Sequence, residues 1–233
     1  MGWILLILAL VVLGLAVYWQ LVIAEGAYLG RRVVTLLYDW SASGYNQLKG
    51  FDAEEEDDFL GRPLAQVLTP GDRAPVLDVA TGTGRLPLTL LRQPGFAGAV
   101  IGLDLSTRML RIAARQLVPC RERATLLQAA AAPLPFADGR FQVVTCLEAL
   151  EFFGDAPAAL DEMVRVLCPG GWLLITNRIG WEARLMPGRT WSRQQLIATL
   201  RGLPLTDISV RPWQTIYDLV WARKRDLPSR RDL

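Results

Sequence analysis

The chain has 233 residues, 52% of them hydrophobic, with 25 Lys and Arg against 23 Asp and Glu and no histidine. That length suits one α/β domain plus an appendage. A formal charge of +2 argues against a nucleic-acid footprint, and the lack of histidine excludes a histidine base, a Ser-His-Asp triad and any histidine metal site.

Trp3 to Ile23 carries no charged residue. At 1.5 Å per residue this run covers about 30 Å, the thickness of a bilayer core. Trp3 at one end and Tyr18-Trp19 at the other suit interfacial anchors. A secretory signal peptide is the alternative, but it normally has a basic start and a shorter apolar core. Here the first basic residue is Arg31. Residues 1–24 are therefore expected to form an uncleaved transmembrane helix. Arg31 and Arg32 place its carboxyl side in the cytoplasm by the positive-inside rule, giving a single-pass protein of the cell membrane with Met1 outside.

Residues 25–68 join this helix to the main domain. Tyr28, Val33, Val34, Leu36, Leu37, Tyr38 and Trp40 are interleaved with Arg31 and Arg32. Such a helix could lie at the membrane surface with its arginines on lipid headgroups, pack on the following domain, or do both. Asp52 to Asp58 is acidic and reads as a solvated helix start. Neighbouring side chains on a helix diverge, so a metal site there is not expected. Phe59 to Leu68 continues as a helix that Thr69-Pro70-Gly71 ends.

Residues 69–224 carry the main domain. Val76-Leu77-Asp78-Val79 reads as a buried parallel strand. Gly82 and Gly84 follow, and Leu86, Leu88 and Leu90 begin a helix. Strand, glycine turn and helix start together present backbone N–H groups to a ligand, and glycine lets it approach closely. A second strand, Gly98 to Leu103, ends in Asp104, 20 residues beyond Gly84. Dinucleotide-type folds place the acid that binds ribose hydroxyls there. Ser106 is a suitable N-cap for a helix through Leu117.

Thr125 to Gln128 and Phe141 to Cys146 read as the third and fourth strands. The fourth delivers Glu148 and Glu151 at its carboxyl end, the ligand side of an open parallel sheet. Either glutamate could orient an acceptor or attract a proton, or be a surface charge at the next helix. Asp155 to Leu167 is helical, stopped by Pro169-Gly170-Gly171, and Trp172 to Thr176 is the fifth strand. Residues 181–190 are a loop and Trp191 to Gln195 opens another helix. Leu205 to Val210 and Gln214 to Ala222 are the closing strands, and residues 225–233 a charged tail. Cys120, Cys146 and Cys168 are too few and too scattered for a zinc cluster or disulfide framework and read as buried thiols.

Several of these segments carry a resemblance. Asp78 to Gly84, Gly102 to Ser106, Met109-Leu110, Leu134-Pro135-Phe136, Phe141 to Leu147 and Met163 to Leu174 together resemble the class I S-adenosylmethionine-dependent methyltransferases, over roughly residues 38–224. Tyr38-Asp39-x-x-Ala42-x-x-Tyr45-Asn46 resembles the opening segment of the phospholipid and quinone branch, which includes phosphatidylethanolamine N-methyltransferase-like enzymes and in which this segment caps the cofactor, so residues 25–68 are implied to hold cofactor-capping helices. Asn46 stands where that branch carries Asp.

The resemblance implies an α/β, Rossmann-like sheet, mostly parallel, of seven strands with an antiparallel closing pair, and S-adenosyl-L-methionine as cofactor. It implies that Asp78, Ala80, Thr81, Gly82, Gly84, Asp104, Leu105, Met109, Ala130, Ala131 and Cys146 surround that cofactor. Tyr45 is an implied catalytic side chain and residues 181–190 the implied wall of an acceptor pocket; Glu148, by its place beyond the fourth strand, is the other catalytic candidate. Two departures stand out. Ala130 replaces an Asp that binds the adenine amino group, a missing hydrogen bond of about 1–3 kcal/mol, and Gln142 replaces another common Asp.

Methyl transfer from a sulfonium is an in-line displacement with a built-in leaving group. The protein mainly aligns the partners and excludes water, so it needs neither triad nor metal. The first reading is therefore a membrane-anchored methyltransferase acting on a hydrophobic acceptor, a phospholipid headgroup or a quinone-like ring. Its expected partners are the bilayer and that hydrophobic substrate, with no nucleic acid. The second is a methyltransferase-fold structural subunit of a membrane protein complex, with Ala130 and Gln142 in its favour. The third is a tethered enzyme with a soluble substrate.

Overall fold

In a computed structural model, residues 2–42, 50, 52–68 and 75–226 are described. Tyr45, Asn46, the Thr69-Pro70-Gly71 stop and residues 227–233 lie outside the described residues.

The sheet runs in the order β3-β2-β1-β4-β5-β7-β6. Its strands are β1 (Val76–Val79), β2 (Val100–Asp104), β3 (Ala124–Gln128), β4 (Phe141–Cys146), β5 (Leu167–Arg178), β6 (Leu205–Trp213) and β7 (Tyr217–Lys224). The first five are parallel, and β7 and β6 are antiparallel additions at one edge. Strands β1 and β4 are almost wholly buried because helices cover both sheet faces. Alternate residues feed two cores. Leu77, Val79 and Val144 join Leu160 and Met163 on one side. Val76 and Val143 join Leu60, Leu64 and Leu90 on the other. The order reverses between β1 and β4, which opens a crevice beyond their carboxyl ends.

The helices are α1 (Gly2–Tyr18), α2 (Arg31–Ser41), α3 (Arg62–Val67), α4 (Arg85–Leu91), α5 (Thr107–Gln116), α6 (Ala156–Val166), α7 (Gly180–Arg184) and α8 (Arg193–Gly202). A turn at Ala53–Glu56 and a wider π-type turn at Asp57–Gly61 lead into α3. The cap expected at Ser106 is present, and Asp52 and Ser192 cap their helices as well. Asp52, Ser106 and Ser192 each accept a hydrogen bond from a first-turn amide, and Ser192 completes a capping box with Gln195. Helix α6 ends at Val166, earlier than the Pro-Gly-Gly stop. Leu167 is already extended, and Pro169 to Gly171 lie inside the long strand β5. Proline's bar on helix in the residue before it explains why the turn comes upstream.

Helix α1 and the wider turn Trp19–Ile23 make 22 continuous residues, long and apolar enough to cross a membrane and with no residue of that window buried. The exit of this helix is fastened to the domain. Trp19 Nε1 donates to Leu185 O (2.9 Å) and Tyr28 Oη to Pro187 O (2.8 Å). Met186 is buried against Ala24 and Ala27. Residues 181–190 were expected to wall an acceptor pocket. They instead pack on the segment that leaves the apolar helix, because their apolar and ring-binding side chains find partners there.

Candidate cofactor and acceptor site

The chain bends sharply after β1. Ala80, Gly82 and Gly84 take φ values of 58°, 53° and 81°, and Glu148 after β4 takes 52°. Two of these are non-glycine residues held in the left-handed region, and strain of that kind gathers where a site over-determines the backbone. Thr81 N donates to Leu103 O (2.9 Å), which ties the bend to β2.

Asp104, the last residue of β2, bridges the bend and the next helix. Its Oδ2 accepts from Gly82 N and its Oδ1 from Ser106 N, both at 2.8 Å. The carboxylate and the bend are in direct contact, and the cavity lies beside them. Each oxygen keeps a further lone pair for a ligand hydroxyl. Burial raises the Asp104 carboxyl above its ordinary value, and the Ser106 and Gly82 amides oppose that shift. Ser106 Oγ donates to Asp39 Oδ1 (2.5 Å) and accepts from Met109 N (3.0 Å). Arg108 reaches Asp39 through its backbone N–H and its guanidinium. Helix α2 is thereby clasped to the start of α5.

Between them lies a cavity of about 450 Å³. Arg31, Val34, Thr35 and Tyr38 of α2 form one wall. Ala80, Gly82, Asp104, Leu105 and Met109 form a second, and Ala129 to Ala132 a third. Leu147 to Ala149 and Phe152 to Asp155 complete it. A narrower cleft of about 40 Å³ adjoins it, sharing Ala80, Gly82, Leu147 and Glu148 and adding Asp78, Thr81, Thr83 and Arg85.

The expected site residues thus divide. Ala80, Gly82, Asp104, Leu105, Met109, Ala130, Ala131 and Glu148 line the main cavity, while Asp78 and Thr81 line only the narrow cleft. Gly84 and Cys146 line neither. A Cβ on Gly84 would meet Ala113 Cβ at 3.0 Å and its Cα at 3.2 Å, so this glycine serves close packing of the bend on α5. A Cβ on Gly82 would meet nothing within 4 Å. Cys146 is fully buried in the core of β4, and burial keeps its thiol protonated. Cys120 and Cys168 are only half-buried, which corrects the expectation for those two thiols. Tyr45 lies outside the described residues.

Below the bend, Asp78 is buried and accepts from Thr145 Oγ1 (2.6 Å); burial pushes its carboxyl up to about 6. Glu148 is not a surface charge. Its Oε1 accepts from Arg85 (2.9 Å), and Arg85 Nε lies 3.2 Å from Glu56 Oε2. The acidic run at 52–58 is therefore not wholly solvated, since Glu56 is buried beside the site. Burial pushes Glu56 up to about 7, more than Arg85 lowers it. A carboxyl raised on folding binds protons in the native state that the unfolded chain has released. Stability therefore falls as pH rises from about 4.5 to about 7 and levels off above that. Glu56→Gln removes this group, so thermal melts at stepped pH should show a shallower fall across that window than the wild type. Glu151 is also buried, accepting from Tyr217 Oη (2.7 Å) behind the cavity rather than in it.

Residues 76–171 match the family model described as a methyltransferase domain. A demethylmenaquinone methyltransferase of Thermus thermophilus is 43% identical over 107 residues, covering 45% of this chain and 48% of that protein. One of Porphyromonas gingivalis is 33% identical over 144 residues, covering 61% and 59%. The chain spans about half the length of the curated relatives it matches. An S-adenosylmethionine-dependent methyltransferase of Aquifex aeolicus shares the fold at a TM-score of 0.61 and 18% identity, covering 78% of this chain and 97% of that one. The [4+2]-cyclase SpnF does so at 0.70 and 19%, covering 85% and 98%. The seven-stranded sheet is thus the fold of these structures, and the S-adenosylmethionine of the Aquifex aeolicus protein's name is the cofactor to test against the cavity.

The residues present fit that cofactor. The cavity is of ligand size, Gly82 leaves open space where a side chain would intrude, and Asp104 is fixed by two amides beside it. Ala129 to Ala132 offer a base only apolar contact from their side chains. The resemblance implied a cofactor cap from the segment that opens at Tyr38-Asp39, but sequence reading passed over the preceding turns of α2 and the Asp39 clasp. The spacing of Arg31, Val34, Thr35 and Tyr38, at i, i+3, i+4 and i+7, was the signal that they share one helix face.

Proposed function

We propose that this chain is a membrane-anchored S-adenosylmethionine-dependent methyltransferase whose acceptor is a quinone-like ring with a hydrophobic tail. The observation that carries the reading is the cavity beside the Gly82–Asp104 contact, walled on the far side by α2, which follows the apolar helix directly. The relatives' names favour a quinone over a phospholipid headgroup. The proposed layout is a span at 1–24, a capping segment at 25–68 and the methyltransferase domain at 69–224, facing the cytoplasm.

The cofactor supplies an electrophilic methyl group on a sulfonium. For the protein's own part, Asp104 accepts from ribose hydroxyls and Gly82 admits the cofactor's backbone-side edge. Ala80, Thr81 and Asp78 support the bend. Leu105, Met109, Ala130 and Ala131 form the apolar wall for the base. Phe152 and Phe153 exclude water from the acceptor side. Glu148 presents a carboxylate at the junction of the two clefts, oriented by Arg85, where it can take a proton released from the acceptor. Tyr45 is proposed to reach this site from the segment after α2.

Glu148→Gln should lower kcat by at least about tenfold while the cofactor Kd stays within about twofold. Equal kcat in both proteins would make Glu148 a structural partner of Arg85. The reading as a whole is tested by transfer of labelled methyl groups to a membrane lipid extract, with the product identified. Label in a naphthoquinone-type lipid is the expected result. Label only in phospholipid or only in water-soluble material would overturn the acceptor assignment.

A further inference from the structure

Helix α2 is a partition. One face, at Arg31, Val34, Thr35 and Tyr38, lines the cavity. The opposite side carries Arg32, Leu36 and Trp40 at four-residue spacing, and Leu36 and Trp40 are 65% and 79% exposed. Leu29, just before the helix, is exposed as well. A second exposed apolar pair, Trp181 and Leu185, lies on and just after α7. Both patches border the exit of the apolar helix. Leu185 O receives the Trp19 indole N–H, and Leu29 lies six residues beyond Ile23.

The link between them is fixed. Gly26 packs under Val33 and Leu37, close enough that a Cβ there would sit 2.7 Å from Leu37 Cδ1. Tyr38 Oη donates to Glu25 Oε2 (2.9 Å), and Arg178 lies 3.5 Å from Glu25 Oε1. The guanidinium of Arg189 sits over the Tyr28 ring. The apolar helix therefore cannot swing freely on a linker, and whatever surrounds its exit also surrounds these exposed side chains.

We infer that Leu29, Leu36, Trp40, Trp181 and Leu185 form a collar seated in the bilayer interface, so that the acceptor enters the cavity along α2 from the membrane. This inference rests on the membrane reading above and adds to it a fixed docking face and an entry route. Aromatic and aliphatic side chains beside exposed arginines match the interfacial zone, where rings sit at headgroup depth and guanidinium groups meet anionic headgroups. Arg31 is both exposed and part of the cavity lining, so the mouth opens at the end of α2 nearest the apolar helix. A quinone-like ring whose tail stays among acyl chains can then reach the site without passing through water.

The test uses the full chain reconstituted in phosphatidylethanolamine–phosphatidylglycerol vesicles with shallow-brominated acyl chains, which quench nearby tryptophan. Trp3 and Trp19 of the apolar helix act as internal reference. Trp40→Phe and Trp181→Phe should each remove about a quarter of the bromine-sensitive emission, one of four bilayer-facing tryptophans. Quenching of the wild type with no loss in either variant would put the collar in water and overturn the inference while leaving the membrane span standing. No quenching even of the wild type would overturn the span itself and the collar with it. A second arm reads access. Leu36→Glu should raise KM for a long-tailed naphthoquinone in vesicles severalfold and leave kcat for a tail-less naphthoquinone in solution unchanged. An unchanged vesicle KM would overturn the entry route.

Discussion

Asp104→Ala should weaken S-adenosylmethionine binding by about tenfold to a hundredfold with the domain still folded. The carboxylate holds the glycine bend through Gly82 N and the start of α5 through Ser106 N, and it is the charged acceptor at the cavity wall. Hydrogen bonds to a charged group contribute about 1.5–3 kcal/mol, and about 1.4 kcal/mol is a factor of ten in affinity. The fold should survive because β2 keeps its pairing with both β1 and β3 along its length. Asp104→Asn, which preserves shape and one acceptor oxygen, should fall between the two. Equilibrium dialysis with labelled cofactor measures all three, and an unchanged Kd in Asp104→Ala would remove this residue from the site.

The two glycines of the bend should respond differently. Gly84→Ala puts a Cβ 3.0–3.3 Å from Ala113 and Leu117, at φ 81°. Left-handed strain of about 1–2 kcal/mol adds to overpacking of about 1–3 kcal/mol, so a loss of about 2–5 kcal/mol in stability is expected. Cofactor affinity of the folded fraction should change little. Gly82→Ala carries only the strain of φ 53°, because its Cβ would enter open space. That space is the cavity, so stability should fall only by that strain, about 1–2 kcal/mol, while cofactor binding weakens as well. Denaturant titration and cofactor titration of the same two proteins separate these effects. Matching losses in both would mean that the two glycines share one role.

The strands were legible because an apolar run in a covered parallel sheet is conspicuous, and Ser106 could be read as a cap from residue type alone. Asp104 was legible because its distance along the chain from the bend reflects one strand–helix–strand passage. Gly84 and Cys146 misled for physical reasons. A glycine needed for left-handed backbone and helix packing looks the same in sequence as one needed for a ligand. In β4, buried on both faces, apolar alternation carries no signal of which residue faces the crevice. The Glu56–Arg85–Glu148 chain of charges could not be read, because it joins three elements distant in sequence. The acidic run 52–58 hid its one buried member among solvated neighbours. The role of residues 181–190 depended on where the segment after the apolar helix folds back, which only the tertiary contacts of Trp19, Tyr28 and Met186 specify.

Calorimetric titration of S-adenosylmethionine into the full chain in lipid nanodiscs, repeated with Asp104→Ala, bears most directly on the cavity between the glycine bend and α2. Saturable binding of one cofactor per chain, displaced by S-adenosylhomocysteine and weakened in the variant, is the expected result. No heat and no retained cofactor at millimolar concentration would contradict it and leave a methyltransferase-shaped scaffold in its place.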